Sequence, residues 1–120
     1  MRQHLSDLLL QFRDEVGSVL GSNLEQIVLY GSQARGDEEP DSDVDVLVVL
    51  RDASPGDRKK IHQIAYRLMW DREFQPLITL NIIDGEYYLL LKEADSTYLK
   101  NIQSEGKPLW QAGETKPDIG

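Results

Sequence analysis

The sequence predicts an α/β (α+β) domain, and three observations predict it. Two long runs carry apolar residues at helical spacing, three short runs are rich in β-branched residues, and Gly or Pro stands at the joints between them. From Leu5 to Leu20, the residues Leu5, Leu8, Leu9, Phe12, Val16, Val19 and Leu20 recur three and four apart, which is one face of an amphipathic helix ending at Gly21. Glu25 to Tyr30 reads as a buried strand that enters a tight turn at Gly31 and Ser32. After the acidic stretch Gln33 to Ser42, broken by Gly36 and Pro40, Asp43 to Leu50 (DVDVLVVL) reads as a second strand.

Ser54, Pro55 and Gly56 form a turn, and Ile61, Ile64, Ala65, Leu68 and Met69 give a second helix up to about Trp70. Leu77 to Ile83 (LITLNII) predicts a third strand, stopped by the Asp84-Gly85 turn. Two short helical pieces follow, Tyr87 to Leu91 and Tyr98 to Ile102, with Gly106 as a C-cap and Pro108 preventing continuation. Leu109 and Trp110 are expected to dock back on the body. Residues 1–112 thus form one domain, and the polar residues 113–120 are expected to fray.

Composition narrows the function. The chain has 120 residues, is 40% hydrophobic and 28% charged, and so falls in the range of folded globular domains. No apolar run approaches the roughly 20 residues that span a bilayer, so no membrane association is expected and the protein is read as cytoplasmic. Cysteine is absent, which excludes disulfides, zinc thiolates and thiol nucleophiles and leaves carboxylates as the main metal ligands. The net charge of -8 disfavours direct nucleic-acid binding, because polyanions are held by Lys and Arg.

Two features carry chemistry. Side chains alternate along a strand, so Asp43 and Asp45 project to one side, with their Cα atoms about 6.5 to 7 Å apart, while Val44, Val46 and Val48 face the other way. Adjacent like charges call for a cation between them, and Mg²⁺, which takes oxygen ligands from one or two carboxylates plus substrate phosphates, is the natural candidate. The plainer reading is a solvated strand end. Gly31-Ser32, directly after a strand, lets backbone amides approach a phosphate and adds a hydroxyl donor, although such a dipeptide also serves as a simple turn. The spacing joins the two: strand, Gly31-Ser32, ten residues, then Asp43-Val44-Asp45 brings a phosphate cradle beside a carboxylate pair.

The run GSQARGDEEPDSDVDVLVVL (Gly31 to Leu50) resembles the GSX10DXD signature of the polymerase β-type nucleotidyltransferase superfamily, and its minimal nucleotidyltransferase (MNT) branch in particular. Ala34-Arg35-Gly36 and Ser42-Asp43 match the usual neighbours of that signature, and Ile102, Glu105 and Gly106 look like the tail of the same group. The resemblance implies a small mixed sheet flanked by helices, with Gly31 and Ser32 touching the triphosphate of ATP and Asp43 and Asp45 coordinating Mg²⁺. Arg35 either steadies phosphate charge or pairs with the acidic loop of Asp37, Glu38, Glu39 and Asp41. Proteins of this kind are paired with a helical HEPN protein, as an antitoxin or as the catalytic half of a two-subunit enzyme. The implied reaction is transfer of AMP from a nucleoside triphosphate to a hydroxyl of that partner.

One departure from the pattern bears on catalysis. Many members carry a third carboxylate on the neighbouring strand, but Leu77 to Ile83 contains no acid. Thr79, Asn81, Asp84 and Glu73 are the candidates for its place. The alternatives are therefore a binding module that neutralises a partner by occlusion, or a small-molecule nucleotidyltransferase subunit. His4 and His62 read as surface residues, Arg58-Lys59-Lys60 as a solvated first helical turn, and Tyr87, Tyr88, Tyr98 and Trp110 as core packing or a partner surface.

Overall fold

β2 (Val44–Leu50) organises the domain, because it is paired on both sides and buried on both faces. The computed structural model describes residues 3–31 and 43–112. The order of elements is α1 (Gln3–Leu20), a short 3₁₀ turn (Gly21–Asn23), β1 (Leu24–Tyr30), β2, α2 (Pro55–Asp71), β3 (Ile78–Asp84), α3 (Gly85–Glu93), α4 (Thr97–Glu105) and β4 (Lys107–Gln111). The sheet runs β3-β2-β1-β4. β1 is antiparallel to β2 and β4, and β2 is parallel to β3, with α2 as the crossover. The sheet is thus mixed, as expected.

Alternation along the strands builds two cores. Val44, Val46 and Val48 join Ile27, Leu29, Ile78 and Ile82 against α1 and α2, where Leu8, Leu9, Phe12 and Leu68 are fully buried. Each such side chain contributes about 1.5 to 3 kcal/mol relative to exposure. Val28, Leu47, Val49 and Ile83 face the other way and pack with Ile102 of α4 and with Tyr88 and Leu91 of α3. Val19, assigned to the apolar face of the first helix, is 50% exposed, because the stripe has rotated off the sheet by that turn.

Short polar residues place the helix starts. Ser54 Oγ accepts from the Asp57 amide at 3.1 Å, with Pro55 in the first turn of α2, so Pro55 and Gly56 belong to the helix rather than to a preceding turn. Asp84 Oδ1 accepts from the Tyr87 amide at 2.7 Å, and Ser96 Oγ accepts from Leu99 at 3.3 Å. These caps extend the two short pieces to Gly85–Glu93 and Thr97–Glu105. Gly106 ends α4, donating to the Ile102 carbonyl at 2.7 Å.

The fourth strand is the main difference from the sequence reading. Lys107–Gln111 pairs with β1 and buries Leu109, so the docking of Leu109 holds but takes the form of an edge strand. Pro108 disguised it, and an edge is where a strand tolerates proline. Tyr87 is 48% and Tyr98 37% exposed, so neither is core. No described helix is long and apolar enough to cross a membrane. The tail of residues 113–120 lies outside the described residues.

Candidate functional site

The first residues of β2 divide between the two faces of the sheet. Val44 is fully buried on the α1–α2 face, Asp43 just before it is exposed, and Asp45 is half-buried on the α3–α4 face. Asp43 lies one residue outside the strand, so strand alternation does not itself fix the direction of its side chain. Asp45 is flanked by Tyr30 of β1 and Thr79 of β3, its register partners.

Gly31 follows Tyr30 with φ at +78°, a left-handed conformation that favours glycine. A Cβ there would overlap Asp45 Oδ2 and stand 3.2 Å from Asp45 Cγ. The structure therefore brings Gly31 and Asp45 into contact, and the missing side chain at Gly31 makes room for the carboxylate. Ser32 and Arg35, the other residues expected to bind nucleotide, lie outside the described residues.

A chain of polar groups borders Asp45. Asn81 Nδ2 donates to the Tyr98 hydroxyl, which donates to the Tyr30 hydroxyl at 3.2 Å, and the two rings meet edge to face at 5.9 Å. This chain runs from β3 through α4 to β1, so Tyr98 bridges over β2. Burial pushes the Tyr30 phenol well above its ordinary pKa, and the Tyr98 hydroxyl and the charge of Asp45 add to the effect. Tyr30 stays protonated at neutral pH. It accepts from Tyr98, which leaves its own proton to be donated elsewhere.

Two of the four candidates for the third acidic position stand near Asp45 on β3. Thr79 is its direct neighbour and is exposed, while Asn81, one step further along the same face, is committed to Tyr98. Asp84 pairs with Leu50, five residues along the ladder, about 16 Å from Thr79, where it caps α3. Glu73 is exposed in the turn after α2, with φ at 57°. Among the described residues, no group of three or more His, Asp or Glu could hold a metal ion. Sequence reasoning missed Tyr30 and Tyr98. The alternation Val28, Tyr30 on β1 was a usable signal, since it puts Tyr30 on the face away from Leu29.

The sequence profile of the nucleotidyltransferase domain family matches residues 9–103. A Methanocaldococcus jannaschii protein, MJ0141, provisionally named a protein adenylyltransferase, is 33% identical over 75 residues, covering 60% of this chain and 76% of its own length. Among solved structures, a Sulfolobus solfataricus protein provisionally named a nucleotidyltransferase superposes with a TM-score of 0.58 at 20% identity, over 94% of this chain and 86% of that one. The spectinomycin adenyltransferase AAD(9) of Enterococcus faecialis, solved with ATP and spectinomycin, gives 0.64 at 18%, over 93% of this chain and 60% of the enzyme. A toxin–antitoxin complex solved with AMP-PNP gives 0.53 at 23%, over 87% of this chain and 74% of the matched one. These three likenesses bear on the fold, and the profile and the archaeal relative bear on descent. The profile and the archaeal relative show that this chain belongs to the nucleotidyltransferase domain family.

Proposed function

We propose that the protein transfers AMP from ATP to a hydroxyl of a partner protein, with Mg²⁺ held by Asp43 and Asp45, and that the partner is a HEPN-family toxin. The observation that carries this reading is the abutment of Gly31 against the Asp45 carboxylate where β1 and β2 open. A backbone without a side chain lies there beside a hard oxygen ligand, the pairing that a metal-bound triphosphate requires. The name of the archaeal relative supports a protein acceptor and an adenylyl group.

The donor set fits Mg²⁺. Asp43 and Asp45 are hard carboxylates, one exposed and one half-buried, and would be the residues that hold the ion. The chemistry that Mg²⁺ would supply when bound there is neutralisation of charge on the transferred phosphoryl group and on pyrophosphate. The chain's own residues do the positioning. Gly31 lets the main chain approach phosphate, Ser32 adds a hydroxyl and Arg35 a cation, while Tyr30 offers a proton donor that does not ionise at neutral pH. The acceptor oxygen bonds to the α-phosphorus as the bond to pyrophosphate breaks, and the hydroxyl proton is released to water.

The test is incubation with Mg²⁺, labelled ATP and the product of the neighbouring gene, which this reading expects to be a HEPN-family protein. The label is expected on the partner, and Asp43→Asn or Asp45→Asn should abolish it. Transfer that survives both changes refutes the site. A second reading follows from Thr79, which puts a neutral side chain beside Asp45: the protein then neutralises its partner by occlusion. In that case the double variant still protects cells from the partner.

A further inference from the structure

β3 is one edge of the sheet, and the parity of its outward groups can be read at two points. The Ile78 amide donates to Met69 Sδ at 3.2 Å, and the Ile82 carbonyl accepts from Arg58 Nη1 at 2.6 Å. Both partners belong to α2, so at Ile78 and Ile82 the main chain points away from β2. In a parallel ladder the N–H and C=O of one residue point to the same side and successive residues alternate. Leu80, midway between the two, therefore turns its own N–H and C=O outward as well. α2 engages the Ile78 amide and the Ile82 carbonyl of this edge and leaves an interval between them.

Beside that interval lies a groove of about 460 Å³, lined by Ile78, Leu80 and Met69 together with Lys59, His62 and Tyr66. Its volume lies in the range of true binding pockets. Lys59 has no ion-pair partner among the described residues, whereas Lys60 faces Asp57 at 3.9 Å and Lys100 faces Asp95 at 2.8 Å. In a chain of net charge -8, an unpaired ammonium beside an apolar floor is a local reversal of sign. Beyond Tyr66 the wall continues as Trp70, 64% exposed, which meets Tyr66 at 6.3 Å and Phe74 at 6.0 Å. Exposed, mutually braced aromatics are the anchors that protein interfaces use.

We propose that this groove is a strand-addition site for an extended segment of another polypeptide. The segment forms a short β-bridge to the N–H and C=O of Leu80, lays apolar side chains over Met69 and against Tyr66, and points a carboxylate at Lys59 and His62. Unlike most edges, which are closed along their length by charge, proline or a covering element, this one is stopped at two points and open between them. The bridge is short by construction, so specificity rests on the alternating side chains and on the carboxylate. The site lies on the α2 side of β3, opposite the face that carries Thr79 and Asp45, and does not depend on the nucleotide reading.

The test uses the full chain, ¹⁵N-labelled, and two fluorescein-labelled peptides of alternating threonine and valine, one ending in glutamate and one in lysine. The glutamate peptide is expected to bind, to quench or shift Trp70 emission, and to slow amide exchange at Leu80 about tenfold or more. Lys59→Glu, a change on an exposed helix face, should weaken the glutamate peptide about fivefold and favour the lysine one. Equal binding of both peptides, unchanged exchange at Leu80 at saturation, or no binding at millimolar peptide would overturn the proposal. Self-association of the chain that Lys59→Glu abolishes would also overturn it, because the groove would then be an interface between copies.

Discussion

Gly31 and Asp45 share a space that only one of them can fill: a Cβ on Gly31 would overlap Asp45 Oδ2. Gly31→Ala is therefore expected to act twice. It places an L side chain at φ +78°, which costs roughly 1 to 2 kcal/mol, and it drives the Asp45 carboxylate out of position. Urea unfolding should show the first effect and labelled-ATP transfer the second, with activity falling at least tenfold. Full activity in a destabilised Gly31→Ala would show that the present place of the carboxylate is immaterial.

Asp43 allows stability and chemistry to be separated. It is exposed and outside the strand, so Asp43→Asn should leave the unfolding free energy within about 0.5 kcal/mol of the parent. Nucleotide transfer should nevertheless be lost. Calorimetry alongside the transfer assay checks both, and a loss of activity that only tracks loss of fold would remove Asp43 from the metal site.

Tyr30 gives the fold an alkaline signature. Its phenol is raised in the folded state, chiefly by burial and then by Tyr98 and Asp45. Unfolded tyrosine ionises near pH 10, so above that pH the unfolded chain sheds a proton that the folded chain keeps. The unfolded state then binds fewer protons, and stability falls as pH rises. The contribution is complete below about pH 10 and is lost progressively above it. Tyr30→Phe should flatten this part of the stability–pH curve, which denaturant titrations between pH 9 and 11 would reveal, while equal slopes would show that Tyr30 ionises freely in the fold.

Gly17 lies inside α1, facing the ring of Trp110. A Cβ there would meet ring atoms at 3.7 and 3.8 Å, ordinary contact distances. Gly17→Ala should then gain most of the difference in helix propensity, about 1 kcal/mol, and raise the melting temperature. A fall in melting temperature would mean that Trp110 cannot accept the added methyl.

Most of the elements were legible in the sequence because period and punctuation agree there. The valines of β2 alternate against Asp43 and Asp45, and Gly31 stands where β1 must turn. β4 was not legible, since Lys107-Pro108 carries the residue least compatible with a strand, and only the register against β1 reveals that it is an edge. The sequence offers only core packing or a partner surface for Tyr98, because spacing along α4 says nothing of a hydroxyl that reaches across the sheet to Asn81 and Tyr30. Arg58 was read as solvated for the same reason, its contact with Ile82 being 24 residues distant. Local pattern predicts faces and turns, while contacts between distant segments need the fold.

Thr79 is the position from which the metal reading can be tested by addition. It is the direct neighbour of Asp45 in a parallel pair, so its side chain leaves the same face about 4.8 Å away, and it is exposed enough to accept a change without disturbing the core. Thr79→Asp puts a second negative charge beside Asp45. Without a cation, the repulsion in a solvated setting is roughly 1 kcal/mol, and the variant should melt below the parent in EDTA. With Mg²⁺ the same carboxylate becomes an additional oxygen ligand, so the cation should stabilise the variant more than the parent. Thermal unfolding of both proteins across a Mg²⁺ titration measures the difference. An equal Mg²⁺ response in the two would place the ion away from Asp45 and Thr79, whereas a larger response in Thr79→Asp, abolished by adding Asp45→Asn, would locate it between β2 and β3.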